Sequence, residues 1–200
     1  MEYKNPQSIG NLSLADKFMS SFFQSVSTRT AGFQTINLGF LKTPTIIFFI
    51  FLMFVGASPG STGGGIKTTT LGIMILGIVC AISGRENIEY ERRKLSWTLF
   101  NKATAILLVS ILYVFIAIIL LTIFDSDKNF LSLLFELVSA FGTVGLSMGI
   151  TSSLTLPSKL IIIVTMFIGR IGPLTIMLAL SRKKLKLGKY RYPEETILIG

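Results

Sequence analysis

Between Lys102 and Asp125 there is no charged residue: Ala103 to Phe124 is an unbroken apolar run. An α-helix needs about 20 such residues to cross the hydrocarbon of a bilayer. The run therefore predicts a transmembrane helix, and everything else in the chain must be compatible with lipid. The composition agrees: 50% of the residues are hydrophobic, 14% are charged, and the mean hydropathy is +0.69. An average soluble domain is about one-quarter charged. Inside a bilayer every backbone polar group needs a partner from the protein itself, which a helix supplies within its own segment. The expected fold class is an all-α membrane protein.

The remaining apolar segments are not simple spans. Leu14 to Arg29 is interrupted by Asp16, Lys17, Gln24 and several serines, and suits a short helix that enters the membrane and stops, with Asn11 or Ser13 as its cap. From Pro44 the chain is strongly hydrophobic as far as Val55. Gly56-Ala-Ser-Pro-Gly-Ser-Thr-Gly-Gly-Gly-Ile-Lys-Thr-Thr-Thr70 then intervenes before a second apolar run, Leu71 to Ile82. Irregular backbone at membrane depth is tolerated only where it is buried in protein or lines a watery cavity. This stretch reads as a helix broken by a loop. Phe130 to Phe141 is another apolar helix too short to span, and Pro157 to Leu180 is a long one interrupted at Gly169-Arg-Ile-Gly-Pro173.

The net charge of +9 could indicate a nucleic-acid partner, but the basic residues gather at Arg85 to Lys102 and Arg182 to Arg191, each after an apolar stretch. Lys and Arg beside membrane segments mark cytoplasmic loops, so nucleic acid is not expected as a partner. The loop 85–102 and the tail after 182 then lie inside, and the acidic turn Asp125 to Asn129 lies outside. With 103–124 and 157–181 each crossing once, 130–156 must enter and leave on the outer side, as a re-entrant pore loop. Cys80 is the one cysteine and there is no His, which excludes an internal disulfide and a His/Cys metal site. Met1 to Gly10 is polar, unlike a cleavable signal.

One internal displacement organises these pieces. Thr30-Ala-Gly-Phe33 matches Thr143-Val-Gly-Leu146 at a separation of 113 residues, and the same separation pairs Phe22 with Phe135, Pro44 with Pro157, Met53-Phe54 with Met166-Phe167 and Gly56 with Gly169. Each unit reads as a pore helix, a loop and an outer-to-inner helix, repeated in parallel, and 103–124 leads the second. A Thr-x-Gly turn after a short helix has a physical use: glycine lets successive carbonyls face one axis, and carbonyls can replace the water around a potassium ion. A single Thr-x-Gly is a common accident; two at one offset, each after a non-spanning helix, point to selectivity filters. The expected ion-binding residues are Thr30, Ala31, Gly32 and Phe33 with Thr143, Val144, Gly145 and Leu146, and potassium is the expected ion at their carbonyls. Each turn has one glycine where Thr-Val-Gly-Tyr-Gly filters have two, so sodium is admitted as a second ion.

Ser27-Thr-Arg-Thr-Ala-Gly-Phe-Gln-Thr35, Gly60-Ser-Thr-Gly-Gly-Gly-Ile-Lys-Thr-Thr69, Phe141-Gly-Thr-Val-Gly-Leu-Ser147 and Gly169-Arg-Ile-Gly-Pro173 together resemble the Trk/Ktr/HKT family of potassium transporters. Family members are similar to four fused helix–pore loop–helix repeats around one axis. This chain resembles the third repeat from its pore helix onward (1–82), a cytoplasmic loop (83–102), the whole fourth repeat (103–181) and a basic cytoplasmic tail (182–200). Two filter segments do not close a fourfold ring, so the chain is expected to be a truncated frame or fragment, or to have an N-terminal half elsewhere.

The resemblance implies that the glycine-rich loop lies beneath the filter as a movable gate, with Gly63, Gly64, Gly65 and Lys67 in it. A phosphate-binding G-x-x-x-x-G-K fails there by one residue, because Ile66 separates Gly65 from Lys67. Arg170, a charge within an apolar segment, is expected to face the ion path as an electrostatic barrier. Arg29 is expected to brace the first filter and Glu136 to hydrogen-bond behind the second. The resemblance further implies a multi-pass plasma-membrane protein in contact with lipid, a homodimer of membrane subunits, and a cytosolic ring of nucleotide-binding regulatory subunits. No bound cofactor and no enzymatic chemistry are expected. A broken-helix secondary transporter of a small solute and a non-conducting scaffold stand as alternatives.

Overall fold

The computed structural model describes residues 2–3, 5–61, 63–84, 87–90 and 93–172. Their elements run α1 (Leu14–Ser27), a 3₁₀ turn (Leu38–Phe40), α2 (Thr43–Phe54), α3 (Thr68–Ile82), β1 (Ile88–Tyr90), β2 (Arg93–Leu95), α4 (Trp97–Phe124), α5 (Phe130–Phe141), a second 3₁₀ turn (Thr151–Ser153) and α6 (Leu156–Ile171). The 113-residue displacement recurs in this order: the 3₁₀ turns begin at 38 and 151, and the helices that follow begin at 43 and 156.

Local chemistry sets most boundaries. Ser13 caps α1 by accepting from the Asp16 N–H, and Asn129 caps α5 by accepting from the Leu131 N–H. Pro44 and Pro157 sit in the first turns of α2 and α6, where a missing N–H costs nothing. The expected break between the two apolar runs lies at residues 55–67, between α2 and α3.

Among the described residues, α4 is the one helix long and apolar enough to cross a membrane. Its 28 residues exceed the roughly 30 Å hydrocarbon core at about 1.5 Å per residue. It begins at Trp97 rather than Ala103, because Ser96 caps it and Lys102 is absorbed into its first turns. Its buried stripe, Ala103, Ser110, Ala117 and Leu121, consists mostly of small residues seven apart, which lets neighbouring backbones approach closely. It packs against α3, α5 and α6. On α3 the close approach is at Gly77, where an added Cβ would stand 2.1 Å from the Phe100 ring.

Helix α5 is wrapped on two sides. One apolar cluster joins Phe135 and Val138 to Leu38, Leu41, Ile46, Phe49, Met53, Val144 and Leu146; a second joins Leu133, Leu137 and Ala140 to Ala117, Ile118, Leu121, Leu154 and Ile162. The outer faces of α4 and α6 leave Leu112, Phe115, Ile123, Ile163 and Phe167 exposed, a surface suited to lipid.

One feature adds to the expectations and another agrees with them. The charged segment after α3 is not plain loop: β1 and β2 form a short antiparallel hairpin with Ile88 opposite Leu95, beside an otherwise helical fold that agrees with the expected all-α class. Ile88 is buried there while Glu89 and Tyr90 face outward. Helix α6 ends at Ile171, inside the interruption expected at 169–173, where Gly172 turns into left-handed backbone at φ 91°. The continuation to 181 and the basic tail 182–200 lie outside the described residues.

Candidate functional site

The two Thr-x-Gly turns share one backbone pattern. Thr30 and Thr143 have φ of 66° and 51°, and Gly32 and Gly145 have φ of 70° and 93°. Left-handed backbone at a β-branched residue is a steric outlier, costing on the order of 1–3 kcal/mol, and persists only where the surroundings enforce it. Among the described residues these threonines are the two non-glycine positions with positive φ. The turns face each other: a Cβ on Gly32 would lie 2.4 Å from the Val144 carbonyl oxygen, and one on Gly145 would lie 3.6 Å from the Gly32 Cα.

Each turn is tied to its own preceding helix by a serine. Ser139 donates to the Leu146 carbonyl at 2.6 Å, and Ser27 donates to the Phe33 carbonyl. The carbonyls of Phe33 and Leu146 therefore already have a protein donor, whereas the sequence places them in the filter on the same footing as Thr, Ala/Val and Gly. Val144 and Leu146 bury their side chains in the α2–α5 cluster. Ala31 and Phe33 are exposed, Phe33 at 69%.

The glycine-rich loop lies against both turns. The Gly64 N–H donates to Thr143 Oγ1 at 2.8 Å. A Cβ on Gly63 would meet the Thr30 side chain at 2.9 Å, and one on Gly64 would meet both Thr143 and the Gly169 carbonyl at 2.8 Å. Glycine is required here by proximity: any side chain would push the loop away from the threonines. The loop is closed by a parallel bridge between Val55 and Ile66, through Gly56 N–H to Ile66 O (2.8 Å) and Ile66 N–H to Phe54 O (3.2 Å). Lys67 turns back into it, its Nζ donating to the carbonyls of Gly63 at 2.6 Å and Ser61 at 3.2 Å.

Thr30, Gly32, Thr143, Val144, Gly145, Gly63, Gly64 and Gly65 thus come together, with Lys67 at the edge of the group. Arg170 does not join them by a side-chain contact: it is exposed in the last turn of α6 and makes no hydrogen bond or ion pair with another described residue. Its neighbour Gly169 supplies the contact to the loop. Arg29 is likewise exposed, and the brace expected of it is not made among the described residues. Glu136 is buried and accepts from Ser147 Oγ, the Met148 N–H (3.0 Å) and Thr151 Oγ1 (2.9 Å).

Sequence reasoning misses Ser27, Ser139 and two carboxylates at the opposite end of the broken helices. Glu2 accepts from the Lys42 N–H and Thr45 Oγ1 at the start of α2, and Asp125 accepts from the Thr155 N–H and Thr155 Oγ1 at the start of α6. Burial pushes the Asp125 carboxyl up, but hydrogen bonds from Ser158 and Thr155, with the charge of Lys128, outweigh it and hold the group below the usual aspartate range. Burial likewise pushes Glu2 up, and hydrogen bonds from Thr45, Asn5 and Lys42, with the Lys42 charge, bring it below the usual glutamate range. The one signal available in sequence is the displacement itself, since Lys42 and Thr155 are 113 residues apart. A cavity of about 610 Å³ beside α1, bordered by Phe18, Phe48 and Phe49, holds the Gln24 amide, which has no hydrogen-bond partner among the described residues.

A helix long and apolar enough to cross a membrane, beside a broken one folded back onto two strained backbone turns, is the frame of a helical membrane protein. The chain belongs to the TrkH family of cation transport proteins, whose pattern matches residues 3–190. It is 42% identical over 200 residues to the Ktr system potassium uptake protein B of Bacillus subtilis (strain 168), covering all of this chain and 44% of that protein. The protein of the same name from Vibrio alginolyticus is 38% identical, with 100% and 43% covered. The potassium/sodium uptake protein NtpJ of Enterococcus hirae is 36% identical over 189 residues, with 92% and 42% covered. The chain thus spans under half the length of these relatives. Its fold matches the crystal structure of the potassium transporter TrkH from Vibrio parahaemolyticus with a TM-score of 0.70 at 22% identity, covering 87% of this chain and 39% of that one. The family is one of transporters rather than enzymes.

Proposed function

We propose that this chain contributes two of the filter segments of a potassium uptake pathway in the plasma membrane. The observation that carries the reading is the matched left-handed backbone at Thr30/Gly32 and Thr143/Gly145. Alternation of that kind is what aims successive carbonyls at one line, and carbonyls so aimed can replace the hydration shell of a potassium ion. The names of the Ktr relatives support potassium, and that of the Enterococcus hirae relative supports sodium as a second ion. The carbonyls of Thr30, Ala31 and Gly32, and of Thr143, Val144 and Gly145, are the ion ligands in this reading. Those of Phe33 and Leu146, shared with serines, form the outer rim.

The loop at Gly63 to Gly65 is the gate. It touches both filter threonines, and Lys67 pins it shut from within. Arg170 closes the path electrostatically from the end of α6, where the helix C-terminus also favours a cation-bearing side chain. The parallel arrangement, several crossings of the membrane, pairing of membrane subunits and seating on a cytosolic nucleotide-binding ring belong to the same reading, as does completion of the ring by two further filter segments.

The test is rubidium uptake in cells lacking their own potassium uptake. The chain is expressed alone and with the complementary part of a full-length relative, with Gly145→Asp as control. Uptake that needs the added part and disappears in the variant is the expected result. A chain that reaches the membrane yet gives no uptake in any combination would favour a non-conducting scaffold.

A further inference from the structure

We infer that Glu136 is a positioning residue that sets how well the second filter discriminates between cations; the inference rests on the reading of Thr143 to Leu146 as filter. Glu136 lies on α5 behind that turn and is 7% exposed. Both carboxylate oxygens are in use: Oε1 accepts from Ser147 Oγ and the Met148 N–H, and Oε2 accepts from Thr151 Oγ1. Ser147 Oγ also accepts from the Gly149 N–H at 2.9 Å and lies 3.1 Å from Thr151 Oγ1. No cation among the described residues pairs with Glu136. A buried carboxylate is costly unless hydrogen bonds to its charge compensate it, and such bonds are stronger than neutral ones. The carboxylate therefore holds the 147–151 segment firmly.

The consequence reaches the filter through one residue. Leu146 is fixed to α5 by Ser139, and Ser147 and Met148 are fixed to the same helix by Glu136. The chain leaving Gly145 is thus anchored at successive residues, which limits how far its carbonyls can close around a smaller ion or open around a larger one. The first turn has no such anchor among the described residues. The residue 113 positions earlier is Phe23, a 42%-exposed hydrocarbon, and Ser27 alone holds the Phe33 carbonyl. One turn is rigid and the other adaptable, and the carboxylate makes the difference.

The experiment compares rubidium with sodium uptake for the chain expressed with the complementary part of a full-length relative. It uses Glu136→Gln, Glu136→Ala and Thr151→Ala, with Phe23→Leu and Gly145→Asp alongside. Glu136→Gln keeps the shape of the side chain, so it should insert normally and retain rubidium uptake. Its rubidium-to-sodium ratio should fall roughly threefold or more, the factor that one hydrogen bond of ordinary strength sets. Thr151→Ala should lower the ratio less, and Phe23→Leu should leave it unchanged. Should Glu136→Ala fail to insert, Glu136→Gln and Thr151→Ala decide the matter. An unchanged ratio in both, with uptake still abolished by Gly145→Asp, overturns the role of Glu136 and leaves the filter standing. Uptake that survives Gly145→Asp, or is absent for the parent chain in every combination, overturns the filter reading and this inference with it.

Discussion

The turn at Thr30 and the turn at Thr143 have similar torsions and opposite surroundings. Helix α5 buries every residue from Phe135 to Phe141, whereas α1 buries only Gln24 and Ser27. Leu146 is 1% exposed and its counterpart Phe33 is 69% exposed. The left-handed threonine is therefore common to both turns, while the packing that surrounds it is not. The shape of the turn follows from a short helix, a Thr-x-Gly and a serine that ties the chain back. Its stiffness depends on what other elements bring to it.

The largest test of that comparison is steric. Alanine at Gly32 and at Gly145 would each force a side chain into positive φ, at a cost of about 1 kcal/mol or more. Only at Gly32 does the new Cβ also meet a carbonyl, at 2.4 Å against a nearest contact of 3.6 Å at Gly145. Gly32→Ala should abolish rubidium uptake and Gly145→Ala should leave a measurable fraction. The reverse order would mean that the exposed turn yields more easily than the buried one tolerates a methyl group.

A middle-sized effect separates the threonines. Thr143 Oγ1 accepts from the loop at Gly64, while Thr30 Oγ1 donates to its own neighbour, the Arg29 carbonyl, at 2.6 Å. Thr143→Ala should release the loop by about 1 kcal/mol, roughly a fivefold rise in its opening, and Thr30→Ala should not. Tryptic cleavage after Lys67 in membranes reads this directly, and equal cleavage in both variants would show that the hydrogen bond does not hold the loop.

The smallest effect lies at the outer ends of α2 and α6. Because the folded-state carboxyls of Asp125 and Glu2 titrate below their ordinary values of 3.8 and 4.5, their stabilisation is fully present above those values. It is lost as pH falls through the lower folded-state values. Thermal unfolding followed by the fluorescence of Trp97 should show Asp125→Asn less stable than the parent by a few degrees at pH 7, in line with about 1 kcal/mol for one cap. That gap should close as the pH drops below 3.8. Glu2→Gln should behave alike if the two caps are equivalent, and a gap for one carboxylate alone would break the parallel.

Much of this is legible in the sequence because it is local. The α5 boundaries, the Ser13 cap and the break after α2 follow from apolar runs, capping residues and glycines. The 113-residue displacement also locates the two turns. What is not legible depends on distant partners. Ser139 looks like any helix serine until the chain curls back to Leu146, and Asp125 looks like a surface turn until α6 begins beside it. The hairpin at 88–95 is hidden by its charges, and the start of α4 by Lys102, whose long side chain is tolerated on an exposed helix face. Arg170 stands out for its charge in an apolar segment, yet its neighbour Gly169 is what touches the loop.

Lys67 has a consequence that concerns competition. An ammonium group and a potassium ion both seek oxygen lone pairs, and the oxygens of Ser61 and Gly63 already have the ammonium. Because it is joined to the chain by a short tether, its effective concentration at those oxygens is roughly millimolar or above and does not vary with the salt around the cell. A free ion arriving at the loop therefore has to displace a resident that cannot diffuse away. In the proposed reading, the loop thus carries a tethered competitor for the ion it would pass, and movement of the loop would be what removes it.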